Sequence, residues 1–140
     1  MSLFSSFYGI TIAIFVITFF IPVFQSCPFY KMKADTHLRV VWSGNLRQFS
    51  ASQCSRWYFT FNGLECNGPL PIDGVIYQSA NINILRVGEI EGYCGNIPAG
   101  LVNVQFRVGL CNSFTTLGNA YTGWNSHSRI IVEEVDAPQP

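Results

Sequence analysis

The sequence predicts an all-β fold, a compact antiparallel sandwich or jelly roll, on two observations. Past Cys27, short runs rich in Val, Ile, Phe and Tyr are separated by Gly and Asn clusters, and no window of about a dozen residues has capped helical spacing. The clearest run is 101–110, in which alternate residues are apolar: Val102, Val104, Phe106 and Val108. This alternation is typical of a strand with one buried and one wet face. Several short strands at this spacing indicate a sandwich or barrel.

The other predicted strands, in chain order, are 38–42, 56–61, 74–78, 82–87 and 128–135. After strand 56–61, the pair Asn62-Gly63 supplies the two positive φ angles of a type I′ hairpin turn. Pro69 and Pro71 lack the backbone donor that a ladder needs, so a rigid corner follows. On strand 56–61 the alternate aromatic side chains face the core, which leaves Tyr58 on the opposite face as a candidate for an interaction surface.

The first 26 residues form a hydrophobic segment that holds six of the twelve phenylalanines and no Asp, Glu, Lys, Arg or His. We interpret residues 1–26 as a cleaved signal peptide, with a mature chain that begins at or near Cys27. The alternative is an uncleaved signal anchor, which by the positive charges of Lys31 and Lys33 would leave the domain in the cytosol. Only that alternative places the protein at a membrane. Residues 27–135 are predicted to form the β domain, and 136–140 a disordered tail.

The charge balance excludes one class of function. Eight basic and eight acidic side chains give a formal net charge of zero in 140 residues. A protein without a basic excess has no electrostatic attraction for nucleic acid, so no nucleic-acid partner is expected.

Five cysteines leave one without an intramolecular partner if the others pair. Strand 101–110 spans about 33 Å, which keeps Cys111 far from Cys94, and a turn at 62–63 puts Cys66 several residues from Cys54. We therefore expect bridges that join Cys54 or Cys66 to Cys94 or Cys111, with the connectivity open. Cys27 is the candidate free or interchain thiol.

No metal, cofactor or catalytic site is predicted. The cysteines never stand two to four residues apart, and His37 and His127 are isolated, so zinc spacing is absent; acidic residues form no calcium loop. Ser126 and His127 are neighbours, and neighbouring strand residues point to opposite faces, so they do not suggest a triad. Spread cysteines in an oxidising compartment favour bridges over a thiol nucleophile.

Two long blocks, "RWYFTFNGLECNGPLPIDGVIY" and "TGWNSHSRIIVEE", with "LRVVWSGNL" before them and "GYCGNIPAGLVNVQFRVGLC" between them, carry a family resemblance. Together they resemble the C-terminal domain of the collagen triple helix repeat-containing protein family. The resemblance implies a secreted glycoprotein domain without catalytic activity, related to the trimeric jelly-roll heads of complement and short-chain collagens. It also implies roles in matrix remodelling, cell migration and Wnt signalling, with matrix or receptor proteins as partners.

Two departures from the family limit what carries over. No Gly-X-Y run precedes Cys27, so a homotrimer would have to form from the heads alone. No Asn-X-Ser/Thr sequon occurs, so N-glycosylation is not expected.

A different class of function is a monomeric carbohydrate- or peptide-binding module. Exposed aromatics such as Trp42, Tyr58 and Trp124 would stack on the ligand in that case. Trp124 stands between a Gly and an Asn in a predicted loop, where it either contacts a ligand or anchors the loop onto the core.

Overall fold

The computed structural model describes residues 2–7, 10–17 and 24–139, with side chains from Gln25 onward. Within these ranges the chain is all-β, and none of the described residues forms a helix able to cross a membrane. The strands are β1 Ser2–Phe7, β2 Ile10–Ile17, β3 Phe24–Lys31, β4 His37–Gln48, β5 Gln53–Phe61, β6 Leu64–Glu65, β7 Asp73–Gln78, β8 Arg86–Cys94, β9 Gly100–Leu110, β10 Ala120–Thr122 and β11 Ser128–Val135.

The strands form two antiparallel sheets, as predicted for a sandwich. The first sheet has the order β1-β2-β11-β4-β10, with β8 paired to β4. The second has the order β3-β9-β5-β6, with β7 paired to β5. Some neighbours, such as β3 with β9 and β4 with β11, are far apart in sequence, so each sheet combines early and late parts of the chain.

The core lies between the sheets and is built from the alternating apolar residues. In β9 the side chains of Val102, Val104 and Phe106 are buried, which confirms the face predicted from the alternation. The ring of Phe106 stacks on Trp42 of the other sheet, with centroids 4.7 Å apart and planes 7° from parallel. A second ring, Phe59, tilts against Phe106 at 5.0 Å. The Trp42–Phe106 stack joins the two sheets, whereas Phe59 and Phe106 are paired across neighbouring strands of one sheet.

The hairpin after β5 has the predicted turn. Asn62 and Gly63 both have positive φ, 51° and 85°, and the turn sets Thr60 opposite Glu65. Glycine reaches such angles without a steric penalty, and Asn is among the residues that tolerate them.

Several elements differ from the prediction. Residues 79–85 form no strand, and β8 begins only at Arg86 and runs to Cys94. The first half of the predicted strand 82–87 lies in a loop, where Asn83 and the preceding Asn81 accept hydrogen bonds from Arg47 and Ala51. Strands β1, β2, β3 and β10 have no counterpart in the prediction. The predicted boundary between Ser26 and Cys27 falls inside β3, which starts at Phe24.

The N-terminal segment is described only in part. The backbone of β1 and β2 forms strands, and β2 pairs with β11. Residues 1, 8–9 and 18–23 of the predicted signal peptide, and residue 140 of the predicted tail, lie outside the described residues. Residues 136–139 have no regular secondary structure and are exposed.

Candidate interaction surface

Two disulfides fix the connectivity that the sequence leaves open. Cys54 joins Cys111 with Cα atoms 5.7 Å apart, and Cys66 joins Cys94 with Cα atoms 5.8 Å apart. Both bridges connect distant parts of the chain, which is the class of pairing expected from strand geometry. Cys54–Cys111 links neighbouring strands of one sheet at their ends, whereas Cys66–Cys94 ties the corner after β6 to the end of β8 in the other sheet.

Cys27 is free and lies in the core rather than at an accessible edge. Burial raises the pKa of its thiol to about 12, because an apolar environment disfavours the thiolate. A fully buried sulfur has no surface for a partner chain, so this conformation does not offer the interchain bridge considered for Cys27.

Tyr58 lies on the outer face of β5 and is half-buried by its neighbours. The guanidinium of Arg56 stands over its ring, 4.6 Å from the centroid, and Gly109 lies beneath, where an added Cβ would be 3.1 Å from the ring. Arg56 also pairs with Glu65 and donates to Asp73 Oδ2 at 2.6 Å. These contacts place Tyr58 in a cluster of charged side chains and limit its exposure.

Trp124 is displayed at the surface by an anchored loop. Its side chain is 42% exposed, while its backbone oxygen accepts a hydrogen bond from Asn45 Nδ2 at 3.0 Å. The same amide donates to Ser126 Oγ at 2.9 Å, and Gly123 N donates to Asn45 O at 2.8 Å. The loop is therefore held through its backbone and Ser126 rather than by insertion of the indole into the core.

The third aromatic considered for ligand stacking, Trp42, is part of the core. It is fully buried, and its Nε1 donates to Gln25 Oε1 at 2.7 Å, so no ligand reaches it. Tyr58 and the loop of Trp124 belong to different sheets. Of the three aromatic side chains that the sequence suggested for ligand stacking, Tyr58 and Trp124 lie at the surface, and they lie in separate places.

The histidines are not part of any ligand cluster in the described region. No group of three or more His, Cys, Asp or Glu side chains there could hold a metal ion. His127 is exposed, and His37 lines a pocket of about 430 Å³ with Asn67 and Asn96. Ser126 Oγ, beside His127, accepts the hydrogen bond from Asn45.

An exposed apolar edge that sequence reasoning missed runs from β7 through the following loop into β8. We call it the β7–β8 edge, and its apolar members are Val75, Tyr77, Ile82, Ile84, Leu85 and Val87, the last of which is 89% exposed. Between Gly74 and Leu85 the chain carries no charged residue.

The loop in this edge exposes polar and apolar side chains alike and is tied to the rest of the domain by hydrogen bonds. Asn81 Oδ1 accepts a hydrogen bond from Ala51 N at 2.7 Å, and Asn83 Oδ1 accepts one from Arg47 Nη1 at 2.6 Å. Asn81 and Asn83 are themselves exposed, as are Ile82 and Ile84. The two hydrogen bonds tie the loop to β4 and to the turn that follows it.

A second exposed apolar cluster lies at the end of β3. Tyr30 and Leu101 are opposite each other in the β3–β9 ladder, and Met32 follows just after the strand. Their exposures are 63%, 68% and 66%. We call this cluster the Tyr30 corner. The sequence signal for it is weak, because apolar residues on both faces of a short run do not reveal which face is buried.

Comparison with known families agrees with this architecture. The model of the family described as CTHRC1, C-terminal domain, matches residues 21–132. The chain belongs to the CTHRC1 C-terminal domain family. The match begins before β3, so the family domain includes the strand that crosses the predicted boundary at residue 26. No solved structure matches the chain.

Membership in the CTHRC1 C-terminal domain family relates the chain to extracellular-matrix proteins. The two disulfides are consistent with an extracellular location, because such bridges persist in oxidising compartments.

Proposed function

We propose that this protein is a secreted, non-enzymatic interaction domain that works as a homotrimer in the extracellular matrix or at the cell surface. Its partners are matrix or receptor proteins, and its role lies in cell migration or Wnt signalling. The observation that supports this most is the pair of long-range disulfides in a member of the CTHRC1 C-terminal domain family. A domain stapled in this way is suited to an oxidising compartment.

Two further observations support self-association. The formal net charge is zero, so no strong repulsion opposes the approach of identical subunits. The surface also carries exposed aliphatic and aromatic side chains in clusters rather than singly, and such clusters mark interaction sites in soluble proteins.

The test begins with expression of the whole chain in a secretory eukaryotic host. We expect the protein in the medium, without its hydrophobic segment, as a trimer by sedimentation equilibrium at micromolar concentration. Recovery of intact Met1 in the membrane fraction would show that the segment is an anchor. A single monomeric species would contradict the trimer.

The partner is then sought by measuring binding to matrix components and to Wnt–receptor complexes side by side. We expect saturable binding to at least one of them by the folded protein. Protein that has been reduced and unfolded serves as the control. Equal binding by both forms, or none by either, would contradict a role as an interaction domain.

One alternative function is favoured by a specific observation. The loop that carries Trp124 is held by hydrogen bonds and leaves the indole exposed. An indole held in this way is able to stack on a sugar or peptide. If the protein is a monomeric binding module of this kind, Trp124→Ala should abolish ligand binding and leave the protein monomeric.

A further inference from the structure

We propose that Asn67 is a site of spontaneous deamidation, and that the reaction places a carboxylate in the pocket that His37 also lines. Two Asn-Gly pairs occur in the sequence, Asn62-Gly63 and Asn67-Gly68. In such a pair the glycine has no Cβ to obstruct attack of its backbone nitrogen on the preceding carboxamide. Both asparagines are exposed, so access to water does not distinguish them.

The reaction needs only the chain itself and water. The Gly68 nitrogen bonds to Asn67 Cγ and loses its proton, the Cγ–Nδ2 bond breaks, and the amide nitrogen leaves as ammonia. This step closes a succinimide ring. Water then adds to one of the two ring carbonyls and opens the ring. Opening at Cγ gives aspartate, and opening at the backbone carbonyl gives isoaspartate.

Hydrogen bonds distinguish the two asparagines. Asn62 Oδ1 accepts a hydrogen bond from Asn103 N at 2.8 Å, and Asn62 N donates to Asn103 O at 2.9 Å. The Asn62 carboxamide is thus held against β9, and it has to give up a hydrogen bond before it can react with Gly63. In the part of the chain that the structure describes, neither the Asn67 side chain nor the Gly68 N–H has a hydrogen-bond partner. Both reacting groups of the second pair are therefore free.

The backbone around Asn67 is fixed on both sides. Cys66 is bonded to Cys94, and Gly68 O accepts a hydrogen bond from Gly95 N at 2.7 Å. Aspartate keeps the length of the backbone between these two ties. Isoaspartate adds a methylene to it, because the chain then runs through the former side chain. The corner cannot keep both ties in their native geometry with the longer backbone.

Either product changes the charge of the pocket. Asn67 lines this pocket of about 430 Å³ together with His37 and Asn96, and the lining that the structure describes contains no acidic residue. Deamidation therefore brings a first carboxylate into it. The formal net charge of the chain, which is zero, falls by one unit.

The test follows deamidation in the folded protein with both disulfides intact, at neutral pH in water enriched in heavy oxygen. Peptide mapping by mass spectrometry measures the conversion of each asparagine, and heavy oxygen marks the products of ring opening. The same protein, reduced and unfolded, is the reference in which both pairs are free. Asn67→Gln has a longer side chain that disfavours ring closure, and Asn62→Gln is the matched control.

We expect the folded protein to deamidate about tenfold faster at Asn67 than at Asn62, the factor that one retained hydrogen bond supplies. After unfolding, the two rates should be similar. Asn67→Gln should remove the acidic form that isoelectric focusing detects, whereas Asn62→Gln should retain it. A folded protein that stays unmodified at Asn67 while the unfolded chain reacts, or one that reacts equally at both pairs, would overturn the proposal.

The Asn67→Asp variant separates the two products, because it carries the new charge on a backbone of normal length. We expect it to melt close to the wild type, and aged protein that contains isoaspartate to melt at a lower temperature. Equal melting of the aged protein and Asn67→Asp would overturn the assignment of Asn67 to a corner that is fixed on both sides.

Discussion

The indole nitrogen of Trp42 donates a hydrogen bond to Gln25 Oε1 at 2.7 Å in the closed space between the two sheets. Gln25 in turn donates through Nε2 to Ser128 Oγ, also at 2.7 Å. This chain of contacts joins β3 of one sheet to β4 and β11 of the other. A buried polar network of this kind stabilises the fold only while every member has its partner.

In a chain that retains residues 24–26, replacing Gln25 by Leu removes both hydrogen bonds and leaves the Trp42 N–H buried without an acceptor. We expect the free energy of unfolding to fall by about 1–3 kcal/mol, as measured by urea denaturation. Ser26→Ala, at the half-buried neighbouring position, is the control and should change little. A chain that begins at Cys27 should show at least the loss seen for Gln25→Leu, and equal stability of the two chain lengths would contradict the role given to Gln25.

The alternation along β9 gives a second prediction. Phe106→Ala removes the ring that stacks on Trp42, and we expect a loss of about 3–5 kcal/mol. Gln105→Ala, on the outer face of the same strand, should cost far less. Similar small effects for both would show that the register of β9 is wrong, because a shift of one residue exchanges the two faces.

The strands and the first hairpin were predictable because they depend on local patterns. Alternating side chains select the buried face of β9, and Asn62-Gly63 provides a turn that few other pairs form as readily. The class of disulfide pairing followed from the length of strand 101–110 and the turn at 62–63. In these cases a physical constraint acts over a few residues, so the sequence displays it directly.

The surface was harder to predict because its features depend on distant contacts. Trp42 is buried in contact with Gln25 and Phe106. Both residues lie far from Trp42 in sequence, so the residues next to Trp42 do not reveal its burial. The first half of the predicted strand 82–87 is instead part of a loop. Ala51 N and Arg47 Nη1 donate hydrogen bonds to the side chains of Asn81 and Asn83, and these contacts with distant residues are not visible in the local pattern.

The disulfides give a third prediction, which separates bonded from free cysteines. Cys54→Ser opens the Cys54–Cys111 bridge, and we expect a loss of about 2–5 kcal/mol in the free energy of unfolding. Cys27→Ala removes only a buried sulfur and should cost less. A Cys54→Ser protein as stable as the wild type would show that this bridge does not support the native fold.

Thiol reactivity provides a fourth prediction. Cys27 is fully buried, and its thiol has a pKa of about 12, so almost no thiolate is available at neutral pH. We expect a thiol reagent to label nothing in the native protein and one cysteine per chain after unfolding without reductant. Rapid labelling of the native protein would contradict this burial and would reopen a catalytic role for the thiol.

Stability at low pH gives a fifth prediction, centred on Glu134. Burial raises the pKa of this carboxyl, but hydrogen bonds from Thr36 Oγ1 and the N–H groups of Met32 and Lys33 outweigh it, so the net pKa lies below its usual 4.5. Because the folded-state pKa is the lower one, the stabilisation is present above pH 4.5 and is lost as the pH falls through the folded value.

We therefore expect Glu134→Gln to be less stable than the wild type at neutral pH and to lose less stability on acidification. Urea denaturation above and below pH 4.5 measures both effects. Glu89→Gln, at an exposed position on β8, is the matched control. A Glu134→Gln protein with the same pH dependence as the wild type would show that this carboxylate does not fasten the turn between β3 and β4.

The most direct test of the account is native mass spectrometry of the secreted protein without reduction. We expect a non-covalent trimer that dissociates to single chains on unfolding, each chain retaining two internal disulfides and one thiol. A native monomer, or a trimer that stays covalently linked after unfolding without reductant, would contradict it.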